Sequence, residues 1–334
     1  MKKFSAGCLG LVAVFGVGAA RAQVPEIRLA RQFSMGYLQF NVMDHEKLIQ
    51  EHAARLGIPE VKVTWVQFNG PAAINDALLS DSVDIASGSP AGMLTIWSRT
   101  RGTAAEVRAI SALSTQPFLL NTRNPEIKTI ADLGKCKRIA VPAVKVSSQA
   151  MTIQMAAAKL YGIKEYSRFD TLTVSLSPPE ATAALLSGVA DVDCVFSVPP
   201  FMQQQLQQPG IHTVADSFEI AGGPNTYTVA YTSARFHDRN PKLYQALYNA
   251  LQDATDRVNK DINKASGYWI QDGNYKLAPD FVAGIAGGPR VKWTMVPERT
   301  MATAEFMHQV GTIKTLPGSW KDFFFPEAHG LPGS

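Results

Sequence analysis

Residues Glu26 to Phe33 (EIRLARQF) form a short strand-like run that the step SMGY interrupts. The next segment carries apolar side chains at Leu38, Val42, Leu48 and Ile49 and stops at Gly57, a spacing that predicts a helix. Val61 to Phe68 alternates in the manner of a strand. A turn follows at NG, and Pro71 stands near a helix start, where its missing N–H is no loss. VDIASG, VRAISALS and PFLLNT read as three more short strands. The opening logic then returns: a strand from Arg138 to Val141, a polar loop from Lys145 to Gln149, a helix from Ala150 to Tyr161, and Gly162 as its stop. FDTLTVSL reads as a strand, SPPEATAALLSG as a helix with proline in its first turn, and VDCVFS as a strand. TYTVAYTS (Thr226 to Ser233) is another strand, and an amphipathic helix runs from Pro241 to about Asn263. The tail is helical with loops and rich in Trp and Phe.

Strands that alternate with helical patterns imply βαβ units and mainly parallel sheets. The order appears twice, so two similar α/β lobes are the economical reading. One unit is visibly repeated: ALLSDSVDIASGSPAGML (Ala77 to Leu94) matches ALLSGVADVDCVFSVPPFM (Ala184 to Met202). Each copy passes from Ala-Leu-Leu-Ser through a turn to an Asp-led apolar run and a Ser/Pro loop. PFLLNT and TYTVAYTS stand where the chain would cross between the lobes.

In open α/β sheets the binding crevice lies beyond the carboxyl ends of the strands. Helices begin there with unpaired N–H groups, and their dipoles favour an anion. Four loops suit this role: Ser34-Met35-Gly36-Tyr37, Ser87-Gly88-Ser89-Pro90, Ser147-Ser148-Gln149 and Ser197-Val198-Pro199-Pro200. The competing reading is that Ser and Pro simply cap helices, and the two roles are compatible.

The charge balance changes the picture once the N-terminus is removed. The 334 residues carry a formal net charge of +4. MKKFSAGCLGLVAVFGVGAARAQ has a basic start, a short apolar core and an Ala-Arg-Ala exit, the pattern of a secretory signal cleaved near Ala22. Its loss takes away Lys2, Lys3 and Arg21 and leaves +1. A nucleic-acid function therefore loses its electrostatic support. No remaining stretch is apolar enough for a membrane span. Cys8 lies in the signal, too early for a lipoprotein site. Cys136 and Cys194 have no C-x-x-C spacing, so a zinc or thioredoxin-like site is not indicated. Both read as strand residues of one sheet, and a disulfide and buried thiols both remain open.

Enzyme signatures are missing. His45, His52, His212, His237, His308 and His329 show no metal-ligand spacing; His45 and His52, seven apart, would share one exposed helix face. Asp191 and Asp193 would face opposite sides of a strand. GSPAG does not place Ser as a nucleophile elbow requires, and no phosphate-loop pattern occurs. QQQLQQ (Gln203 to Gln208) reads as polar helix surface or loop.

Taken in order, WVQFNGPAAINDALLSDSVDIASGSP, KCKRIAVPAVKVSSQAMT, ALLSGVADVDCVFSVPP and NPKLYQALYNA resemble the nitrate/sulfonate/taurine type of ABC-transporter substrate-binding proteins across nearly the whole mature chain. The resemblance implies a two-lobed periplasmic binding protein of type II, each lobe a mainly parallel sheet flanked by helices, joined by two hinge crossings. Lobe I would comprise residues 24–116 and about 230–334, and lobe II about 120–226. It further implies a periplasmic monomer that needs no cofactor and does no chemistry. Such a protein closes on a small-molecule ligand and delivers it to a membrane permease with its ATPase. A ligand sensor, or an enzyme on the same scaffold, are the alternatives. The family's binding loops map onto Ser34 to Tyr37, Ser87 to Pro90, Ser147 to Gln149 and Ser197 to Pro199. Phe118 and the pair Thr226 and Tyr227 fall at the crossings. The loops carry bulk at Phe33, Met35, Tyr37, Phe118, Phe196 and Tyr227, which suits an organic anion with a flat or greasy part. Arg31 is either a charge partner for it or half of a structural ion pair.

Overall fold

In the computed structural model, which describes residues 25–188 and 191–334, the first strand-like run forms β1 (Glu26–Gln32). The export signal, its cleavage point and Cys8 lie outside the described residues. A 3-10 turn (Met35–Tyr37) leads into α1 (Leu38–His45) and α2 (Leu48–Arg55). β2 (Lys62–Phe68), α3 (Pro71–Leu79), β3 (Ile85–Gly88), α4 (Pro90–Thr100) and β4 (Val107–Thr115) complete the first pass. The chain then crosses into β5 (Leu119–Thr122), β6 (Ile139–Val141), α5 (Ser148–Tyr161), β7 (Thr173–Ser175), α6 (Pro178–Ser187), β8 (Cys194–Ser197), α7 (Phe201–Leu206), β9 (His212–Asp216) and α8 (Ser217–Ala221). It returns through β10 (Thr226–Ser233) and continues with α9 (Ala234–Arg239), α10 (Pro241–Lys260), α11 (Ile262–Gly273), α12 (Pro279–Ala286), β11 (Lys292–Trp293) and α13 (Thr300–Gln309).

The strands form two sheets, ordered β11-β4-β10-β3-β1-β2 and β7-β6-β8-β5-β9. Each sheet, flanked by helices, is the centre of one lobe. The repeat seen in the sequence is a topological one. In the first sheet a crossing strand, β10, borders β3, then β1, then β2; in the second, β5 borders β8, then β6, then β7. The duplicated segments become α3-β3-α4 and α6-β8-α7.

The sheets are mixed, not mainly parallel. β1 runs parallel to β2 and β3, and β6 parallel to β7 and β8. The crossing strands run the other way: β10 is antiparallel to β3 and β4, and β5 to β8 and β9. The reason is connectivity. A parallel neighbour needs a crossover of a dozen or more residues within one lobe, whereas these strands arrive from the other lobe.

Two expected helices are each split. Lys47, at φ 55°, separates α1 from α2, so His45 and His52 lie on different helices. His45 stacks on Tyr268 and its Nε2 lies 2.6 Å from Asp272, and His52 Nε2 lies 3.4 Å from Asp253. Neither is a free surface group. Asp261 ends α10 and caps α11 by accepting from the Lys264 N–H at 3.0 Å. α10 keeps its amphipathic face: Leu247, Ala250, Leu251, Ala254 and Val258 are fully buried against α1 and α2.

Cys136 and Cys194 are joined in a disulfide with a Cα–Cα distance of 6.1 Å. Cys194 opens β8, but Cys136 follows a 3-10 turn (Ile130–Lys135) and is not in a strand. Buried Asp193 stands beside the bridge, and its carboxylate accepts the Lys137 N–H at 2.9 Å. Asp191 is exposed and lies outside β8.

The bridge closes a loop between positions 58 apart in sequence. Replacing both cysteines by serine is expected to lower the unfolding free energy by roughly 2–4 kcal/mol. Urea denaturation of the oxidised protein and the double variant measures this; coincident midpoints would contradict it.

Candidate functional site

Between the sheets, at the carboxyl ends of β1, β2, β6 and β7, lies a narrow cleft with a cavity volume of about 20 Å³. Helical starts converge on it from both lobes. From the first come the turn at Ser34, Pro71 at the head of α3 and Ser89 at the head of α4. From the second come Ser147, Ser148 and Gln149 at the head of α5, and Pro178 at the head of α6. Tyr37, Tyr227 and Phe33 supply its aromatic walls, and Gln32, Pro142 and Thr228 complete them.

The serines do cap helices. Ser34 Oγ accepts the Gly36 N–H at 3.0 Å, Ser89 Oγ that of Gly92 at 3.2 Å, and Ser147 Oγ that of Ala150 at 3.3 Å. These caps also line the cleft, so the two readings of the sequence coincide at these loops. Prolines then silence several starts. Pro71, Pro90 and Pro178 occupy first-turn positions and carry no N–H. At α5 the situation is reversed. The N–H groups of Ser148 and Gln149 have no acceptor among the described residues, and neither does the Gln149 carboxamide, on a residue that is 3% exposed.

Among the described residues no Lys, Arg, His, Asp or Glu lines the cleft. Its polarity comes from hydroxyls, amides and the positive ends of helix dipoles. Burial holds the Tyr37 hydroxyl well above its ordinary pKa, helped by Tyr227 and Tyr231 and opposed by a hydrogen bond with Ser87. Burial likewise raises Tyr227, against the hydrogen bond with Ser34. Both phenols are therefore neutral donors.

The other residues singled out from the sequence fall outside the cleft lining. Ser87 Oγ donates to the Ala30 carbonyl at 2.7 Å, tying β3 to β1. Gly88 makes room for the side chains of Gln32 and Tyr231, each 3.3 Å from where a Cβ would stand. Met35 and Pro90 are buried, and the Met35 N–H donates across the lobes to the Pro199 carbonyl at 3.2 Å. Phe118 packs at the crossing between Phe196 and Tyr227, with ring centroids 5.0 and 5.8 Å away. Ser197 is buried and accepts from Gln205 Nε2 at 3.0 Å, and Val198 is core. Hence the Ser197–Pro199 loop closes against the first lobe instead of opening into the cleft; the α6 start takes that place. Thr226 exchanges hydrogen bonds with Glu298 at the return crossing.

Gln205 corrects another expectation: it is fully buried and bonds Asn121, Thr182 and Ser197. Arg31 forms a structural ion pair with Asp272 at 3.0 Å. Pro71 and Pro178 were legible as helix starts, but Gln32, Pro142 and Thr228 carried no sequence signal for the cleft.

The lobes meet on both sides of the cleft. A Cβ on Gly70 would stand 3.0 Å from the Pro142 carbonyl oxygen, so the backbones nearly touch. Arg290 grips Asp216 through two hydrogen bonds of 2.7 and 3.0 Å and lies over the Phe218 ring.

The model of the NMT1-like family matches residues 21–268, and the chain belongs to that family. A curated relative, the putative aliphatic sulfonates-binding protein of Escherichia coli (strain K12), is 24% identical over 249 residues, covering 73% of this chain and 71% of the relative. The alkanesulfonate-binding protein SsuA from Xanthomonas axonopodis pv. citri, solved bound to MOPS, has a TM-score of 0.68 at 20% identity over 92% of this chain and 98% of that one. The periplasmic nitrate-binding protein NrtA from Synechocystis PCC 6803 has a TM-score of 0.66 at 15% identity, over 90% and 84% respectively. These neighbours are periplasmic binding proteins, and their likeness fixes the two-lobed fold.

Gly36 tests how the first turn is held. A Cβ there would stand 2.7 Å from the Tyr227 ring and 2.9 Å from the Thr228 methyl. Gly36→Ala is expected to destabilise the protein by roughly 1–3 kcal/mol. An unchanged urea midpoint would mean that the turn is not clamped by β10.

Proposed function

We propose that the chain is the periplasmic solute-binding component of an ABC importer and that it carries a small organic anion in the cleft. The two lobes, residues 24–116 with about 230–334 and residues about 120–226, close by hinge motion at the crossings. Ligand favours the closed state because only there do both sets of helical starts reach it. The protein then hands the ligand to a membrane permease driven by an ATPase, acts as a monomer and performs no chemistry. The single observation that carries the reading is the start of α5: Ser148 and Gln149 N–H groups without an acceptor among the described residues, facing a cleft lined by no charged side chain. An anion is what such an end of a helix accepts. The family membership, the relatives named for sulfonates and nitrate, and the secretory pattern of residues 1–22 support the same reading.

A thermal-shift screen against sulfonates, aromatic carboxylates, nitrate and neutral pyrimidines tests it. An organic anion at about a hundred times its Kd should add about 2.7 kcal/mol of stability. Stabilisation by neutral pyrimidines alone would remove the anion, and stabilisation by nitrate alone the organic part.

Ser148→Leu is expected to weaken ligand binding by at least about a hundredfold, or roughly 2.7 kcal/mol. The melting temperature of the free protein should hardly move, because Ser147 and not Ser148 makes the cap. Retained affinity in that variant would place the ligand elsewhere.

The pH profile is a separate check. The cleft has no group that titrates near neutrality, and burial raises both of its phenols. Sulfonate affinity should therefore stay flat from about pH 5 to about pH 9, where sulfonate itself keeps its charge. A tenfold change across that window, measured by calorimetry, would implicate an ionisable side chain in binding.

A further inference from the structure

A second chamber adjoins the cleft and shares with it Gln32, Phe33, Ser34 and Tyr37. It is the larger of the two, with a cavity volume of about 220 Å³ against about 20 Å³. Its far wall is a stacked pair, Trp269 and Tyr275, with ring centroids 4.0 Å apart and planes 14° from parallel. That wall is mechanically tied to the cleft, because Trp269 Nε1 donates to the Ser34 carbonyl at 3.1 Å. Tyr275 also meets Phe201 of the other lobe edge-on at 6.1 Å. Gly273 makes the stack possible: a Cβ there would stand 1.9 Å from the Tyr275 ring.

The charges in the chamber are spent on one another. Asp272 accepts from Arg31 at 3.0 Å and from Asn41 at 2.6 Å, and His45 Nε2 lies 2.6 Å from its other oxygen. Arg31 also lies over the Trp65 ring at 5.8 Å. The chamber thus offers aromatic faces beside the polar side chains of Gln32, Asn41 and Gln67, with its charges paired, and its aromatic walls favour a flat guest. A charged guest would have to break an existing pair.

Building on the anion reading of the cleft, we propose that the chamber is a subsite for a neutral, flat tail of the same ligand. The tail passes Phe33 and lies against Tyr37, Trp269 and Tyr275, while the anionic head stays at the start of α5. The ligand class is then an aryl or arylalkyl acid, not a short alkyl one.

Calorimetry with matched pairs tests this: methanesulfonate against 2-phenylethanesulfonate, and acetate against 3-phenylpropionate. In the wild-type protein the tailed member of the binding pair is expected to be tighter by about tenfold or more. In Tyr275→Ala that ratio should fall towards one, and in Tyr275→Phe, which keeps the ring, it should persist. The tailed probe should also alter tryptophan fluorescence, and the head-only probe should not. A ratio near one in the wild type, or a ratio that Tyr275→Ala leaves unchanged, overturns the subsite while leaving the anion reading intact. Binding by none of the four probes overturns both.

Discussion

The pairing of β4 with β10 is the constraint from which the rest follows. These strands carry the chain out of the first lobe and back into it, and they lie antiparallel side by side from Val107–Ser233 to Thr115–Thr226. Both are almost wholly buried. The pair does more than join two bodies. Thr228, on β10, donates to the Gly36 carbonyl at 2.7 Å, and the Ser114 hydroxyl on β4 lies 2.7 Å from that of Thr228. Tyr227, next along β10, places its hydroxyl 3.2 Å from Ser34 Oγ. The hinge strands therefore hold the first cleft turn directly, and lobe geometry and cleft geometry cannot vary independently.

The elements that sequence made legible are those whose cause is local. β2 follows from alternation, β1 and β10 from short strand-like runs, and the starts of α3, α4 and α6 from proline at positions where an N–H is dispensable. The repeat was visible because Ala-Leu-Leu-Ser and the Ser/Pro loop are local too. What stayed hidden depends on partners far away in the chain. Lys47 adopts a left-handed conformation that no pattern announced, and so one expected helix became α1 and α2. The antiparallel direction of β10 and β5 depends on which lobe they arrive from. In the candidate site, Ser34, Tyr37, Ser89, Ser147, Ser148, Gln149 and Tyr227 do line one cleft. Ser197 lies outside that lining, buried and hydrogen-bonded to Gln205, which the sequence read as helix surface or loop.

A neutral cleft is a physically distinct way to hold an anion. An arginine or lysine brings a full charge whose desolvation must be offset each time the cleft closes. A helix end brings about half a charge that is part of the backbone and already in place. Its donors are fixed by caps such as Ser147, so little conformational freedom is lost on binding. The attraction is correspondingly modest. For the carrier proposed above that is an advantage, since the anion must also be released to a permease.

The distribution of proline then decides where the charge would sit. If each converging start offered its N–H groups, an anion would face several comparable positions. Pro71, Pro90 and Pro178 remove first-turn donors at α3, α4 and α6, while the Gly92 N–H at α4 is taken by Ser89. At the Ser34 turn the Gly36 N–H is taken by Ser34 itself. At the start of α5 no proline intervenes, and the Ser148 and Gln149 N–H groups beside the cleft have no acceptor among the described residues. An anion held by one helix end keeps its remaining sides free. The side toward Phe33 and Tyr37 is the one that adjoins the aromatic chamber. That adjacency of a helix start and a stacked aromatic pair is the physical basis for reading head and tail as separate problems, the head set by backbone N–H groups and the tail by ring faces.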